Sequence, residues 1–183
     1  LNYDPAQTVE TLAAAHREWN EWCGRPLASQ IKPHGNSRDP KRRLRVGYVS
    51  ADFRSHSVSY FFEPLLAAHD RVRVEVFCYS SGRRADQVTN RLQALASVWR
   101  NIAGMSDEAA SELIRSDQID ILIDLSGHTA GNRLLVFARK PAPVQVSYLG
   151  YPATTGLSTM DYKLTDRFLF PPDSPEWFSE ELI

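Results

Sequence analysis

The sequence predicts an α/β fold: a Rossmann-like parallel sheet with helices on both faces. Three observations carry this. Runs such as LRVGYVS (44–50), VRVEVFCYS (72–80) and IDILIDLS (119–126) are apolar almost throughout, as strands covered on both faces are. Between them lie segments of about ten residues with apolar positions three and four apart, the spacing of amphipathic helices. The two types alternate along the chain without an internal repeat, as they do in doubly wound sheets.

Taken in order, Leu12, Ala13, His16, Trp19 and Cys23 share one helical face, and that helix is expected to end near Gly24-Arg25-Pro26. His16 on this face reads as a core or interface histidine. The polar stretch from Pro26 to Pro40 reads as a linker. After the 44–50 strand, Val58, Phe61, Phe62, Leu65, Leu66 and His69 fall at helical spacing, with Pro64 expected to make the helix start late or irregularly. The strand at 72–80 is followed by a helix at 83–96, with Val88, Leu92 and Leu95 inward, and by a weaker strand at 97–102. Ser106 caps a helix that carries Asp107 and Glu108 in its first turn and runs to about Ser116. The strand at 119–126 leads to a helix at 131–140, stopped by Pro141, then to strands at 144–150 and 160–166. The tail from Phe168 to Ile183 is proline-rich and acidic and reads as a loop.

Composition narrows the function classes. The 183 residues are 43% hydrophobic and 23% charged, with formal net charge −1. Near-neutral charge argues against a surface built to neutralise nucleic-acid phosphates. No apolar run reaches the roughly 20 residues of a spanning helix, so no membrane role is expected. The run Lys41-Arg42-Arg43 reads as a solvated linker edge or a local anion contact. Cys23 and Cys78 are too far apart and too few for a disulfide scaffold or a zinc site, and reduced, buried thiols of a cytoplasmic protein are expected.

Open parallel sheets bind ligands beyond the carboxyl ends of their strands. Asp52 and His56 follow the first strand. Ser126, Gly127, His128 and Thr129 follow the fourth, and Leu149, Gly150, Tyr151 and Pro152 follow the fifth. A histidine can exchange a proton near neutral pH, and a carboxylate nearby can orient it. The plain alternatives stay open at this point: Asp52 as a turn residue, His56 as a loop or capping histidine, His128 as a histidine that satisfies a backbone carbonyl. Asp124, inside a strand, is either exposed at an edge or held by a partner. The first strand runs into GYVSADF without the GxGxxG fingerprint. The chain also lacks a P-loop, a GxSxG elbow and paired metal-ligand histidines, so no metal is expected.

The stretches LRVGYVSADFRSHSVSYFFEPLLAAHD, IDILIDLSGHTAGNRL, ARKPAPVQVSYLGYPATTGL and MDYKLTD together resemble the catalytic region of the protein O-glycosyltransferases, the O-GlcNAc transferase family with its Spindly-type O-fucosyltransferase branch. HSVSYF, GHTAGNRL and PATTGL are more similar to the Spindly branch and its bacterial relatives. LNYDP and AHREW resemble the segment that joins upstream tetratricopeptide repeats to that region.

The resemblance implies that 1–40 is a helix plus linker and that 41–183 is the first Rossmann-like domain of a GT-B enzyme, truncated at its C-terminal side. It implies transfer with inversion of GlcNAc or fucose, from UDP-GlcNAc or GDP-fucose as substrate, to Ser or Thr hydroxyls of acceptor proteins. No separate cofactor is implied. A C-terminal nucleotide-binding domain would complete the cleft, and this portion alone would be inactive. His56 and Asp52 match the residues proposed as general base. Leu149 and Gly150 match a Leu-Gly pair lining the sugar pocket, and with His128, Thr129, Tyr151 and Pro152 of the same loops they are the expected substrate-binding residues. Val58 stands where the animal enzymes have threonine, and His128 where they have tyrosine. The alternative reading is a non-catalytic interaction module derived from this family.

Overall fold

The computed structural model describes residues 4, 6–166, 168–169 and 177–183. Seven strands form one sheet: β1 (Leu44–Ser50), β2 (Val74–Ser80), β3 (Val98–Asn101), β4 (Ile121–Asp124), β5 (Val144–Tyr148), β6 (Tyr162–Leu164) and β7 (Glu181–Leu182). Their order is β3-β2-β1-β4-β5-β6-β7, and neighbours are parallel throughout. The chain walks outward from β1 to β3, then crosses back to place β4 on the other side of β1. The β1–β4 junction is therefore the switch point where such sheets open a crevice.

Helices cover both faces. α2 (Ser57–Ala68) and α3 (Gln87–Leu95) pack on one side, where Phe62, Leu66 and Leu92 meet Val46, Tyr48, Val76 and Cys78. α4 (Asp107–Ser116) and α5 (Leu134–Phe137) cover the other, where Ile114, Leu134 and Phe137 meet Val49, Tyr79 and Leu122. α1 (Val9–Trp19) is started by a reciprocal Thr8–Thr11 capping box and lies on this second side, with its Trp19, and Leu27 just beyond it, against the core.

Several boundaries differ from the expectations, each for a local reason. The first helix does not end at Gly24: it loosens into a π turn over Asn20–Gly24 and tightens into a 3-10 helix over Arg25–Gln30, with Pro26 at its start. Pro64 sits inside α2 rather than delaying it. The carbonyl it leaves unbonded belongs to Tyr60, which is 80% exposed, so water can serve it. Phe61 points outward, not inward. β4 stops at Asp124 because that carboxylate takes the N–H groups of Ser126 (3.1 Å) and Gly127 (2.7 Å), turning the chain away from the ladder. Asp124 is thus fully buried and held by backbone donors. α5 is one turn long, bounded by Gly131 and Lys140 in left-handed conformations. The tail expected as a loop contains β7, paired with β6; residues 170–176 of it lie outside the described residues. Of the Lys41-Arg42-Arg43 run, Lys41 and Arg43 are exposed as a solvated edge would be, but Arg42 grips the Asp120 carboxylate with both terminal nitrogens. Cys78 is buried but Cys23 only partly so, and both are free. No described helix is long and apolar enough to cross a membrane.

Candidate active site

Asp52 and His56 lie on the loop leaving the carboxyl end of β1, at the switch point. Ser50 starts the turn by accepting the Asp52 N–H (2.9 Å), and Ser59 on α2 ties it down by donating to the Asp52 and Arg54 carbonyls (3.1 and 2.6 Å). Asp86, the cap of α3, accepts the Ser55 N–H (2.7 Å), so the loops after β1 and β2 are joined. The geometry around His56 is thereby set by three side chains, Ser50, Ser59 and Asp86, that lie outside the cavity.

The Asp52 carboxylate is 8% exposed and takes a charge-assisted bond from Arg54 on Oδ1 (2.8 Å). Its Oδ2 lies 3.9 Å from His56 Nδ1, too far for a hydrogen bond. His56 Nδ1 instead caps α2, accepting the Val58 N–H at 3.3 Å. A ring nitrogen that accepts an N–H carries no proton, so the proton of the neutral ring sits on Nε2. In this state His56 offers a donor. To act as base through Nε2 the ring must shift its proton to Nδ1, and Asp52 Oδ2 is the nearby acceptor that would hold it there once the two atoms close by about 1 Å.

A cavity of about 210 Å³ opens over this pair, lined by Asp52, Arg54, His56 and Val58 on one side and by Leu125, Thr129, Ala130 and Gly150 on the other. Four of the expected residues, Asp52, His56, Thr129 and Gly150, therefore meet. Thr129 is fixed by donating its hydroxyl to the Ser126 carbonyl (2.8 Å). Gly150 is required by close approach: a Cβ there would stand 1.8 Å from the Leu125 carbonyl oxygen. Leu149 has φ +65 and packs against the α2-side core, so it supports the wall from behind.

The other expected residues are placed elsewhere. His128 donates from Nε2 to the Thr155 carbonyl (2.7 Å), and its ring lies 4.7 Å from His16, 4.8 Å from Trp19 and 5.5 Å from Tyr151. Burial, first of all, holds its pKa below the ordinary imidazole value, and the neighbouring His16 adds to this against the Thr155 bond. The Tyr151 hydroxyl meets His16 Nε2 at 2.7 Å, while His16 Nδ1 bonds the Leu12 carbonyl (2.5 Å). This aromatic cluster seals α1 to the loops after β4 and β5. Pro152 lines a separate apolar cavity of about 530 Å³, beside Leu12, Ala13 and Trp177. Among the described residues no group of three or more His, Cys, Asp or Glu is placed to hold a metal ion.

Sequence reasoning missed Arg54 as the partner of Asp52, although its position two residues on was a usable signal. It also missed Lys163 and Glu180, buried at 3% and 5% beneath the 149–155 loop. A lysine in a short late strand and an acid in a tail give no local sign of burial.

Comparison with known proteins agrees with this architecture. The family model described as Glycosyl transferase family 41 matches residues 28–183. A protein of Petunia hybrida named probable UDP-N-acetylglucosamine–peptide N-acetylglucosaminyltransferase SPINDLY is 44% identical over all of this chain and 20% of its own length. A UDP-N-acetylglucosamine–peptide N-acetylglucosaminyltransferase of Caenorhabditis elegans is 41% identical over 77% of this chain and 12% of its own. The solved structure of a mutant O-GlcNAc transferase from Thermobaculum terrenum superposes with TM-score 0.91 at 43% identity, covering 99% of this chain and 35% of that one. The chain thus spans about a fifth of the plant relative's length. The SPINDLY similarity reaches the α1 region, while the nematode one stops short of the full chain. With the fold, the switch-point cavity and these matches in agreement, the chain belongs to glycosyltransferase family 41.

Proposed function

We propose that this chain forms the acceptor-side wall of the cleft in an inverting glycosyltransferase. The whole protein would move GlcNAc or fucose from UDP-GlcNAc or GDP-fucose to Ser or Thr hydroxyls of other proteins. The observation that carries this reading is the Asp52–His56 pair, 3.9 Å apart and facing Gly150 and Thr129 across one cavity at the sheet's switch point.

An acceptor hydroxyl entering the cavity needs a group that takes its proton as the oxygen attacks the sugar carbon, and a neutral imidazole or a carboxylate serves. Arg54 orients the Asp52 carboxylate by a hydrogen bond, so a proton taken up at His56 Nε2 would have an acid beside it to balance the imidazolium charge. Val58 presents a methyl where a hydroxyl would give a hydrogen bond, which makes that corner of the cavity apolar. The leaving diphosphate needs cationic or backbone N–H donors. Those belong to the rest of the protein in this reading, as do upstream tetratricopeptide repeats that would bring the acceptor. This portion by itself is expected to be inactive.

The test is a donor screen on the full-length protein. UDP-GlcNAc and GDP-fucose are each offered with a Ser/Thr-rich peptide library, and mass spectrometry reads the added sugar. Transfer from one donor, absent from the isolated 183-residue chain, supports the reading. A full-length protein that transfers neither sugar overturns it in favour of a non-catalytic interaction module.

A further inference from the structure

Three ionisable side chains are buried together beneath the cavity wall: Asp124, at the end of β4 and fully enclosed, Lys163 in the middle of β6 (3% exposed), and Glu180 just before β7 (5% exposed). Buried charge is costly unless each group finds partners, so three in one place call for a role. None of them reaches the cavity. Each grips backbone or hydroxyl groups of the loops that do line it.

Lys163 Nζ donates to the Tyr151 carbonyl at 2.8 Å and lies 5.9 Å from the centre of the Phe178 ring. Glu180 accepts the Thr154 hydroxyl (2.6 Å), the Thr155 N–H (2.7 Å) and the Thr155 hydroxyl. Asp124 holds the Ser126 and Gly127 N–H groups. The three feel one another: Lys163 stabilises the charge on Asp124, Glu180 opposes it, and both acids favour the charged lysine against its burial. The segment they hold is under strain. Leu149 is left-handed without being glycine, and Gly150 is pressed on the Leu125 carbonyl. Such a conformation persists only where its surroundings over-determine it.

We infer that Lys163 and Glu180 are positioning residues, a buried ionic anchor that holds the 149–155 loop so that Gly150 faces the Asp52–His56 pair. The role in transfer rests on the glycosyltransferase reading above; the anchoring does not. Neither residue touches the cavity, so their effect is on the shape of the wall. β7 brings Glu180 to the loop by pairing with β6, whose central residue is Lys163. The tail strand is therefore part of the site's support.

The test uses the full-length protein with Lys163→Met and Lys163→Arg, and with Glu180→Gln, which keeps the side-chain volume and reports even if the lysine variant fails to fold. Hydrogen exchange by mass spectrometry is read over 149–155, and acceptor-peptide KM is separated from kcat. Lys163→Met and Glu180→Gln are expected to speed exchange in that loop roughly tenfold while α3 and β2 stay protected. Acceptor-peptide KM is expected to rise about fivefold with kcat changed less, and Lys163→Arg to recover much of it. Unchanged exchange at 149–155 in a folded Glu180→Gln protein overturns the anchor, whether or not the protein transfers sugar. Faster exchange with an unaltered acceptor-peptide KM overturns its role in transfer alone.

Discussion

His56 and His128 stand at the carboxyl ends of neighbouring strands, β1 and β4, in short polar loops of similar make-up. Their surroundings are opposite. His56 is half-buried, bonded by one nitrogen to a backbone N–H, and its other nitrogen is available to a cavity. His128 is half-buried too, but its ring packs against three other rings and bonds a backbone carbonyl. What separates them is α1, which lays His16 and Trp19 over the β4–β5 side and leaves the β1 side open. A helix more than a hundred residues before His128 decides which histidine faces the cavity and which packs against other rings.

The sharpest way to break this comparison is to remove each ring. In the full-length protein, His56→Ala is expected to lower kcat/KM by about 10²- to 10⁴-fold, the usual worth of a positioned acid–base group. Its stability cost should stay within about 1 kcal/mol, the value of a helix cap. His128→Ala should show the reverse balance. It opens a hole among His16, Trp19 and Tyr151 and frees the Thr155 carbonyl, so a loss of about 2–4 kcal/mol in unfolding free energy is expected. Urea unfolding and initial-rate kinetics on the two variants decide the matter. Equal losses of activity and stability in both would erase the distinction between the two sides.

The sheet was legible because its strands are apolar on both faces and its helices are not, a contrast that needs no tertiary information. Element ends were less so. β4 and α5 are shorter than their apolar runs because Asp124, Gly131 and Lys140 bend the chain, and those bends depend on which side chain reaches which backbone N–H. β7 was hidden because it pairs through β6, a contact that a two-residue strand cannot announce. In the site, Asp52, His56, Thr129 and Gly150 could be grouped by the rule of carboxyl ends alone. That rule gives an edge and not a depth, so it also admitted His128, Tyr151 and Pro152, which lie toward α1. The buried Lys163 and Glu180 escaped it because they support the loops from beneath.

The smallest expected effect tests the same contrast without removing a ring. His128 has its pKa held below the ordinary value of about 6.5, chiefly by burial. Between its folded and unfolded values the unfolded chain holds more protons. Stability therefore rises with pH across that window, is fully present above about 6.5, and is lost as pH falls through the folded value. His16 beside it deepens the effect and the Glu180 carboxylate opposes it. Burial also lowers the pKa of His34 and His69, so wild-type stability alone does not isolate His128. His128→Gln keeps a donor for the Thr155 carbonyl and removes the titration. The gap in unfolding free energy between wild type and His128→Gln should be flat above pH 6.5. Below it the gap should move against the wild type, by no more than about 1.4 kcal/mol per pH unit for a single proton. Parallel curves from pH 5 to 8 would mean that the aromatic cluster admits a proton freely, and that its seal against α1 is looser than the ring contacts imply.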